Sequence, residues 1–209
     1  MIEYLVILFQ LSIFVFFSYF PINSSTSKYF LSSTKGLSII NYFIINLSIL
    51  MTFLLMASFT KFSLENVFFS LLIFYALLFI ISFKDMLENN YKDNFLIILV
   101  FIIINFALFL DIARDLQLNW DALTLWKLKA NHFYIGNNYF DPTYYPDAYF
   151  PHPQYPHLGT YIWAFFWKNA ILDYEYLGRS FQTYLYVVSL FVLTMSFRFQ
   201  NFLKTFLAL

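Results

Sequence analysis

The fold is decided by residues 111–159, which read DIARDLQLNWDALTLWKLKANHFYIGNNYFDPTYYPDAYFPHPQYPHLG. This insert holds all 3 histidines of the chain and all but one of its 6 prolines. The sequence on both sides is almost uniformly apolar. A polar, aromatic and proline-rich insert between apolar segments is typical of chemistry at a membrane surface, because the flanking segments hold the insert there.

The composition of the chain is that of an integral membrane protein. Its 209 residues are 61% hydrophobic and 11% charged, with a mean hydropathy of +0.66, whereas a soluble domain has about 25% charged residues. The formal net charge is zero, so nucleic acid is not predicted as a partner. The chain has no cysteine, which excludes disulfides and thiolate metal sites.

Six apolar segments predict an all-α fold, a polytopic transmembrane bundle of about six spans with one large ordered loop that carries an interfacial helix. A hydrocarbon core about 30 Å thick needs about 20 apolar helical residues. The predicted spans are 2–20, 37–59, 64–83, 95–110, 158–172 and 181–197, with a polar loop at 84–94. The chain therefore divides into four spans (1–110), the loop (111–157), and two further spans with the start of a truncated tail (158–209).

Within the insert, residues 121–134 have the apolar spacing of a helix. The repeat is formed by Ala122, Trp126, Ala130 and Phe133. This pattern predicts an amphipathic helix at the interface, with Trp120 and Trp126 at headgroup depth. Asp121 lies at its start, where it either caps the helix or is held for catalysis, and the two roles are compatible.

The second half of the insert is predicted to be an ordered, proline-stiffened loop. Its many aromatic side chains suit sugar faces and equally suit a membrane interface belt. His152 and His157 are separated by proline-rich chain, and no HExxH motif is present. We therefore predict no metal-binding residues in the chain.

Two blocks of sequence resemble the multi-spanning glycosyltransferases of the GT-C type, in particular a bacterial branch of the enzymes that use dolichyl- or polyprenyl-phosphate sugars. The first block is Asn119 to Leu123 with Trp126, Lys129 and Ala130, which looks like WDA(L/W)xxWxxKA. The second is His152 to Pro156 with Leu158, followed by Gly178 and Arg179 before the next span. The chain is similar to the N-terminal part of such enzymes, which are usually much longer.

The resemblance implies transfer of a sugar from a polyprenyl-phosphate donor to an acceptor hydroxyl, with an aspartate in the first large loop as general base. That role falls on Asp121, with Asp115 and Asp111 as competitors. The candidates for substrate binding are Arg114, Trp120, Lys129, His152, Tyr155 and His157, and the cations among them are unranked as ligands of the leaving phosphate. The resemblance implies no cofactor other than a divalent cation, whose involvement is left open.

Each candidate also has a simpler interpretation. Arg114 can pair with Asp111 or Asp115 at the surface, and Lys127 and Lys129 are expected on a solvated helix face. Arg179 is expected to be a cytoplasmic topology anchor. Lysines and arginines divide evenly between the two sides of the predicted bundle, so charge alone does not orient it.

The resemblance places the protein in a membrane, most naturally the bacterial inner membrane, with residues 111–157 on the non-cytoplasmic face. The implied partners are a lipid-linked sugar, the lipid bilayer and, as an open alternative, a second chain that completes the enzyme. A competing hypothesis is a non-catalytic membrane protein whose aromatic loop binds lipid or a partner subunit. Ion-coupled transport is disfavoured, because the polar residues in the middle of the predicted spans are uncharged.

Overall fold

The computed structural model describes residues 2–19, 39–88, 92–114, 120, 122–136 and 156–196, and within them every regular element is helical. The prediction of an all-α fold is therefore confirmed. The α-helices are α1 (Ile2–Tyr19), α2 (Ile39–Ser58), α3 (Leu64–Glu88), α4 (Lys92–Arg114), α5 (Lys127–Tyr134), α6 (Leu158–Lys168) and α7 (Ser180–Ser196). A π-helical turn (Ala122–Trp126) precedes α5, and a 3₁₀ turn (Glu175–Arg179) precedes α7.

The predicted polar loop at 84–94 is wrong at both of its ends. Helix α3 continues to Glu88, and α4 already begins at Lys92. The intervening residues contain no glycine or proline, and Lys, Met, Leu and Glu all favour helix. Charge marked the end of the apolar run, but it did not end the helix.

Helix α6 is the central element of the fold. Six consecutive residues, Thr160 to Phe165, are buried, and a helix that is buried on all sides must be surrounded by other elements. Its neighbours are α2, α3, α5, α7 and the 3₁₀ turn. The insert is therefore fastened to the apolar helices through α6.

Two apolar clusters hold the helices together. The larger joins α2, α3, α4, α5, α6 and α7, with Leu54, Ile162 and Tyr184 almost completely buried. The smaller brings together Ile7 and Leu11 of α1, Phe109 of α4 and Leu177 of the 3₁₀ turn. The smaller cluster fixes the 3₁₀ turn against α1 and α4, so the segment before α7 is held from both sides.

The length of α6 differs from that of the predicted span 158–172. The helix has 11 residues, which corresponds to about 16 Å, or roughly half of a hydrocarbon core. Across the described residues, no helix combines the length and the apolar character that crossing a bilayer requires.

The predicted helix at 121–134 is present, but its first turn is wider than an α-helix. Residues 122–126 are π-helical and the α-helical part begins at Lys127. It ends at Tyr134, and Gly136 follows two residues later with a φ of 99°, in the left-handed region that glycine adopts without strain. Ala130 and Phe133 are buried, and Trp120 is 77% exposed.

Candidate functional site

A cavity of about 260 Å³ lies between the π-helical turn, the first turns of α6 and the start of α7. We refer to it as the tryptophan cavity, because two indole rings contribute to its wall. Its lining residues are Ala122, Trp126, Gly159, Thr160, Trp163, Arg179 and Gln182. A concave site with apolar walls and a few polar groups is the usual form of a small-molecule site.

The two sequence blocks that carry the family resemblance meet at this cavity. Ala122 and Trp126 belong to the first block, and Arg179 belongs to the second. The blocks are separated by the long proline-rich part of the insert, so their meeting is a property of the tertiary structure. Asp121 directly precedes Ala122 in the chain and lies outside the described residues.

Arg179 is a buried residue of the cavity wall, and its interpretation as a topology anchor stays a prediction. Its Nε donates to Oε1 of Glu175 at 3.0 Å, and its Nη2 donates to Oε2 at 2.5 Å. The two side chains are only 6% and 15% exposed. This two-bond geometry matches the planar guanidinium to a carboxylate and cancels the arginine charge locally.

A close approach between Trp163 and Gly178 fixes the position of Arg179. A Cβ atom at position 178 would lie 2.5 Å from the carbonyl oxygen of Trp163, and still closer to its indole ring. Only glycine allows this contact. The guanidinium of Arg179 lies 5.8 Å from the Trp163 ring centroid, and the Trp163 Nε1 donates to the Glu175 carbonyl oxygen at 3.4 Å.

Lys129 is also buried, at 1% exposure, so the expectation of a solvated helix face is wrong for this residue. The widened π turn before it changes the register of α5 relative to a regular α-helix. Its ammonium lies 5.6 Å from the ring centroid of Trp126. Burial lowers the pKa of Lys129, because the charged form loses its hydration.

His157 lies in the same region, at the start of α6. Its Nε2 is 2.9 Å from the Ser58 hydroxyl, which itself donates to the Leu55 carbonyl at 2.7 Å. Which of the two groups donates in the shared Ser58–His157 bond depends on the tautomer of the histidine ring. Burial first, and then the charge of Lys129, lowers the pKa of His157.

A separate set of contacts docks α5 onto α6. Tyr134 stacks on Trp167 with 4.1 Å between ring centroids, and both side chains donate to Oδ1 of Asp173, at 2.8 and 3.0 Å. Lys168 lies over the Tyr134 ring and pairs with Glu65 of α3 at 3.4 Å. These contacts hold α5, and with it Lys129, at a fixed position against the bundle.

Of the predicted site residues, the structure brings Lys129 and His157 into one region. Asp111 is exposed on α4 and Trp120 is exposed before the π turn. Arg114 is the last residue of α4, and its side chain lies outside the described part. Asp115, Asp121, His152 and Tyr155 also lie outside the described residues.

Sequence reasoning missed several residues of the cavity region. Trp163, Thr160, Gln182 and Glu175 were not singled out, although they line the cavity or pair with its arginine. The four-residue spacing of Glu175 and Arg179 is a signal that could have been used, since such pairs share a helix face. No comparable spacing in the sequence indicates the burial of His132, which is only 1% exposed on α5.

The geometry thus defines an all-helical protein with a small, tryptophan-walled polar cavity. No protein family model matches this chain, and comparisons with curated proteins and with solved structures give no significant match. The resemblance to GT-C glycosyltransferases therefore stays a prediction. Among the described side chains, no group of three or more acidic or histidine residues is placed to hold a metal ion.

Proposed function

We propose that this protein is a multi-pass membrane glycosyltransferase, or the N-terminal part of one, that transfers a sugar from a polyprenyl-phosphate donor to an acceptor hydroxyl. The observation that carries the proposal is the tryptophan cavity. Residues from both blocks of the resemblance line it, although the blocks are far apart in sequence. Residues that belong to one site must meet in space, and unrelated matches would have no reason to do so.

In the proposed reaction, Asp121 is the general base. Its carboxylate takes the proton of the acceptor hydroxyl while that oxygen bonds to the anomeric carbon of the donor. The bond between the anomeric carbon and the phosphate oxygen breaks, and the lipid phosphate leaves with the bonding electrons. In the chain, Asp121 directly precedes cavity residue Ala122, which supports this choice over Asp111, which is exposed on α4.

Lys129 and His157 are the described candidates for stabilising the leaving phosphate. They lie close enough for the charge of Lys129 to lower the pKa of His157. A cation in a partly desolvated place interacts strongly with a developing phosphate charge. Lys129 lies over Trp126, which is itself part of the cavity wall.

The membrane location is supported by exposed apolar side chains as well as by composition. Phe69, Ile73, Leu77 and Ile80 of α3 recur at helical spacing and are 60%, 63%, 55% and 70% exposed. Contiguous apolar surface of this kind is rare on soluble monomers and marks contact with lipid or another protein. On α1, Ile2, Leu5 and Phe9 form a second such stripe.

The test is transfer of a radiolabelled sugar from polyprenyl-phosphate donors in membranes that contain the protein from its full natural reading frame. We expect Asp121→Asn to lower transfer by at least 100-fold, since the base is lost, with unchanged membrane insertion. Asp111→Asn is the matched control and is expected to keep near wild-type transfer.

Near wild-type transfer by Asp121→Asn would show that the base is assigned wrongly. If wild-type membranes transferred no sugar from any donor, the proposal itself would fail. The alternative, a non-catalytic protein whose aromatic loop binds lipid or a partner, would then be favoured.

A further inference from the structure

We infer that the tryptophan cavity takes an uncharged sugar ring and discriminates against anionic sugars, and that Glu175 is the residue that sets this specificity. The inference rests on the proposed function, since it assigns a ligand class to the same site. Three observations lead to it: the charge of the cavity wall, its hydrogen-bonding groups and its indole rings.

The charge of the cavity wall is cancelled where an anion would bind. Arg179 is the one charged residue among the described residues that line the cavity, and Glu175 holds it through two hydrogen bonds. A phosphate or carboxylate ligand would have to displace Glu175 or lie beside its negative charge. In either case an anion would bind with a less favourable free energy than a neutral ligand, because the Arg179–Glu175 pair is buried.

The cavity nevertheless keeps hydrogen-bonding groups for a polar, neutral ligand. A guanidinium has five N–H donors, and Glu175 occupies only one on Nε and one on Nη2. Thr160 donates its hydroxyl proton to the His157 carbonyl, so its oxygen can only accept. The exposed amide of Gln182 can donate and accept. Such a mixed set suits sugar hydroxyls, which also do both.

The indoles of Trp126 and Trp163 supply the apolar part of the wall. A pyranose ring has a face of C–H groups that packs against a flat aromatic ring, while its hydroxyls point outward to polar groups. An amphipathic wall of this kind matches a sugar ring better than it matches a bare phosphate. Arg179 is therefore assigned to binding the sugar hydroxyls, whereas Lys129 and His157 are assigned to the leaving phosphate.

The test measures equilibrium binding of free sugars to the full chain in detergent, by saturation-transfer NMR with quenching of tryptophan fluorescence as a second readout. The probes are methyl α-mannopyranoside and methyl α-glucopyranoside as neutral sugars, and glucuronate and glucose 1-phosphate as anionic ones. We expect the wild-type protein to bind a neutral probe at least tenfold more tightly than either anion.

Glu175→Gln removes the negative charge and keeps an oxygen that can accept one N–H bond. We expect this variant to bind the anionic probes about tenfold more tightly than wild type does, with little change for the neutral probes. The matched control is Glu65→Gln, which removes a carboxylate from an exposed pair with Lys168 and should leave every affinity unchanged.

Equal or tighter binding of the anions by the wild-type protein would overturn the inference, and so would the absence of binding by both neutral probes. The wild-type comparison decides the question even if the variant does not fold. These outcomes are separate from those of the transfer assay: efficient transfer of a uronic acid would overturn the inference and leave the proposed transferase intact. Selectivity for neutral sugars without any transfer would support the inference and remove the catalytic function.

Discussion

Two buried cations lie beside the tryptophan cavity, each over one of its indole rings, and they differ in how their charge is tolerated. Arg179 lies over Trp163 and is bonded through two N–H groups to Glu175, four residues earlier in the chain. Lys129 lies over Trp126, and burial lowers its pKa. The arginine is held as a neutral pair, whereas the lysine keeps a charge that its surroundings disfavour.

This contrast suggests a division of labour. A guanidinium that is neutralised and fixed by a carboxylate is a rigid donor for hydroxyl groups. A partly desolvated ammonium is a stronger attractor for a charge that appears during a reaction. In the proposed reaction, Arg179 would bind the sugar and Lys129 the leaving phosphate, and variants of Glu175 and Lys129 test the difference between the two cations.

The largest expected effect is that of Glu175→Ala, which leaves the Arg179 charge buried without its carboxylate. Breaking a buried pair from one side costs about 3–5 kcal/mol of the free energy of unfolding. The measurement is chemical or thermal unfolding in detergent, followed by tryptophan fluorescence. Glu65→Ala, which breaks an exposed pair with Lys168, should cost under about 1 kcal/mol. Equal losses of unfolding free energy for Glu175→Ala and Glu65→Ala would show that Arg179 and Glu175 do not form a buried neutral pair.

A smaller effect is expected of Gly178→Ala. The added methyl group would overlap the carbonyl oxygen and indole of Trp163, so the 3₁₀ turn or α6 must shift. Overpacking of this kind costs about 1–3 kcal/mol. Unfolding of the purified variant measures the loss.

Gly159→Ala is the matched control for that substitution, because a Cβ atom at position 159 meets no atom within 4 Å. Gly159 lies in the first turn of α6, and alanine there should raise the free energy of unfolding by about 0.5 kcal/mol. A destabilisation by Gly159→Ala as large as that by Gly178→Ala would show that the close approach to Trp163 is not the cause.

The smallest effect is expected of Lys129→Met, which tests the second cation. Removing the ammonium removes one of the two causes that lower the pKa of His157, so that pKa should rise towards its ordinary value of 6.5. NMR titration of the histidine ring measures the shift.

The pH dependence of the free energy of unfolding is a second test of Lys129. With its pKa lowered in the folded state, Lys129 binds fewer protons folded than unfolded, so the stability of the wild-type protein should rise with pH between the folded pKa and 10.5. Lys129→Met should lose that rise. Lys127→Met, at the half-buried neighbouring position, is the control and should retain it. An unchanged pH profile for Lys129→Met would show that its burial has no energetic consequence.

The helices could be predicted because long apolar runs leave few other solutions for the backbone. The starts of α1 and α3 are at the predicted residues, Ile2 and Leu64, and α6 begins at the predicted Leu158. The end of α3 and the start of α4 could not be predicted, because the polar residues beyond the apolar runs still favour helix. The burial of Lys129 could not be predicted either, because the π turn before it changes the face of the helix on which Lys129 lies.

The sequence alone determined the helical class, the apolar runs and the two blocks of polar and aromatic residues, because these depend on composition and local periodicity. Only the tertiary structure decided that Trp126 and Arg179 share a cavity, and that Arg179 is a buried, paired residue. The physical reason is the central position of α6. Its burial on all sides brings α5, which continues from the π turn, and the 3₁₀ turn against the same helix, and no local pattern in either turn encodes that meeting.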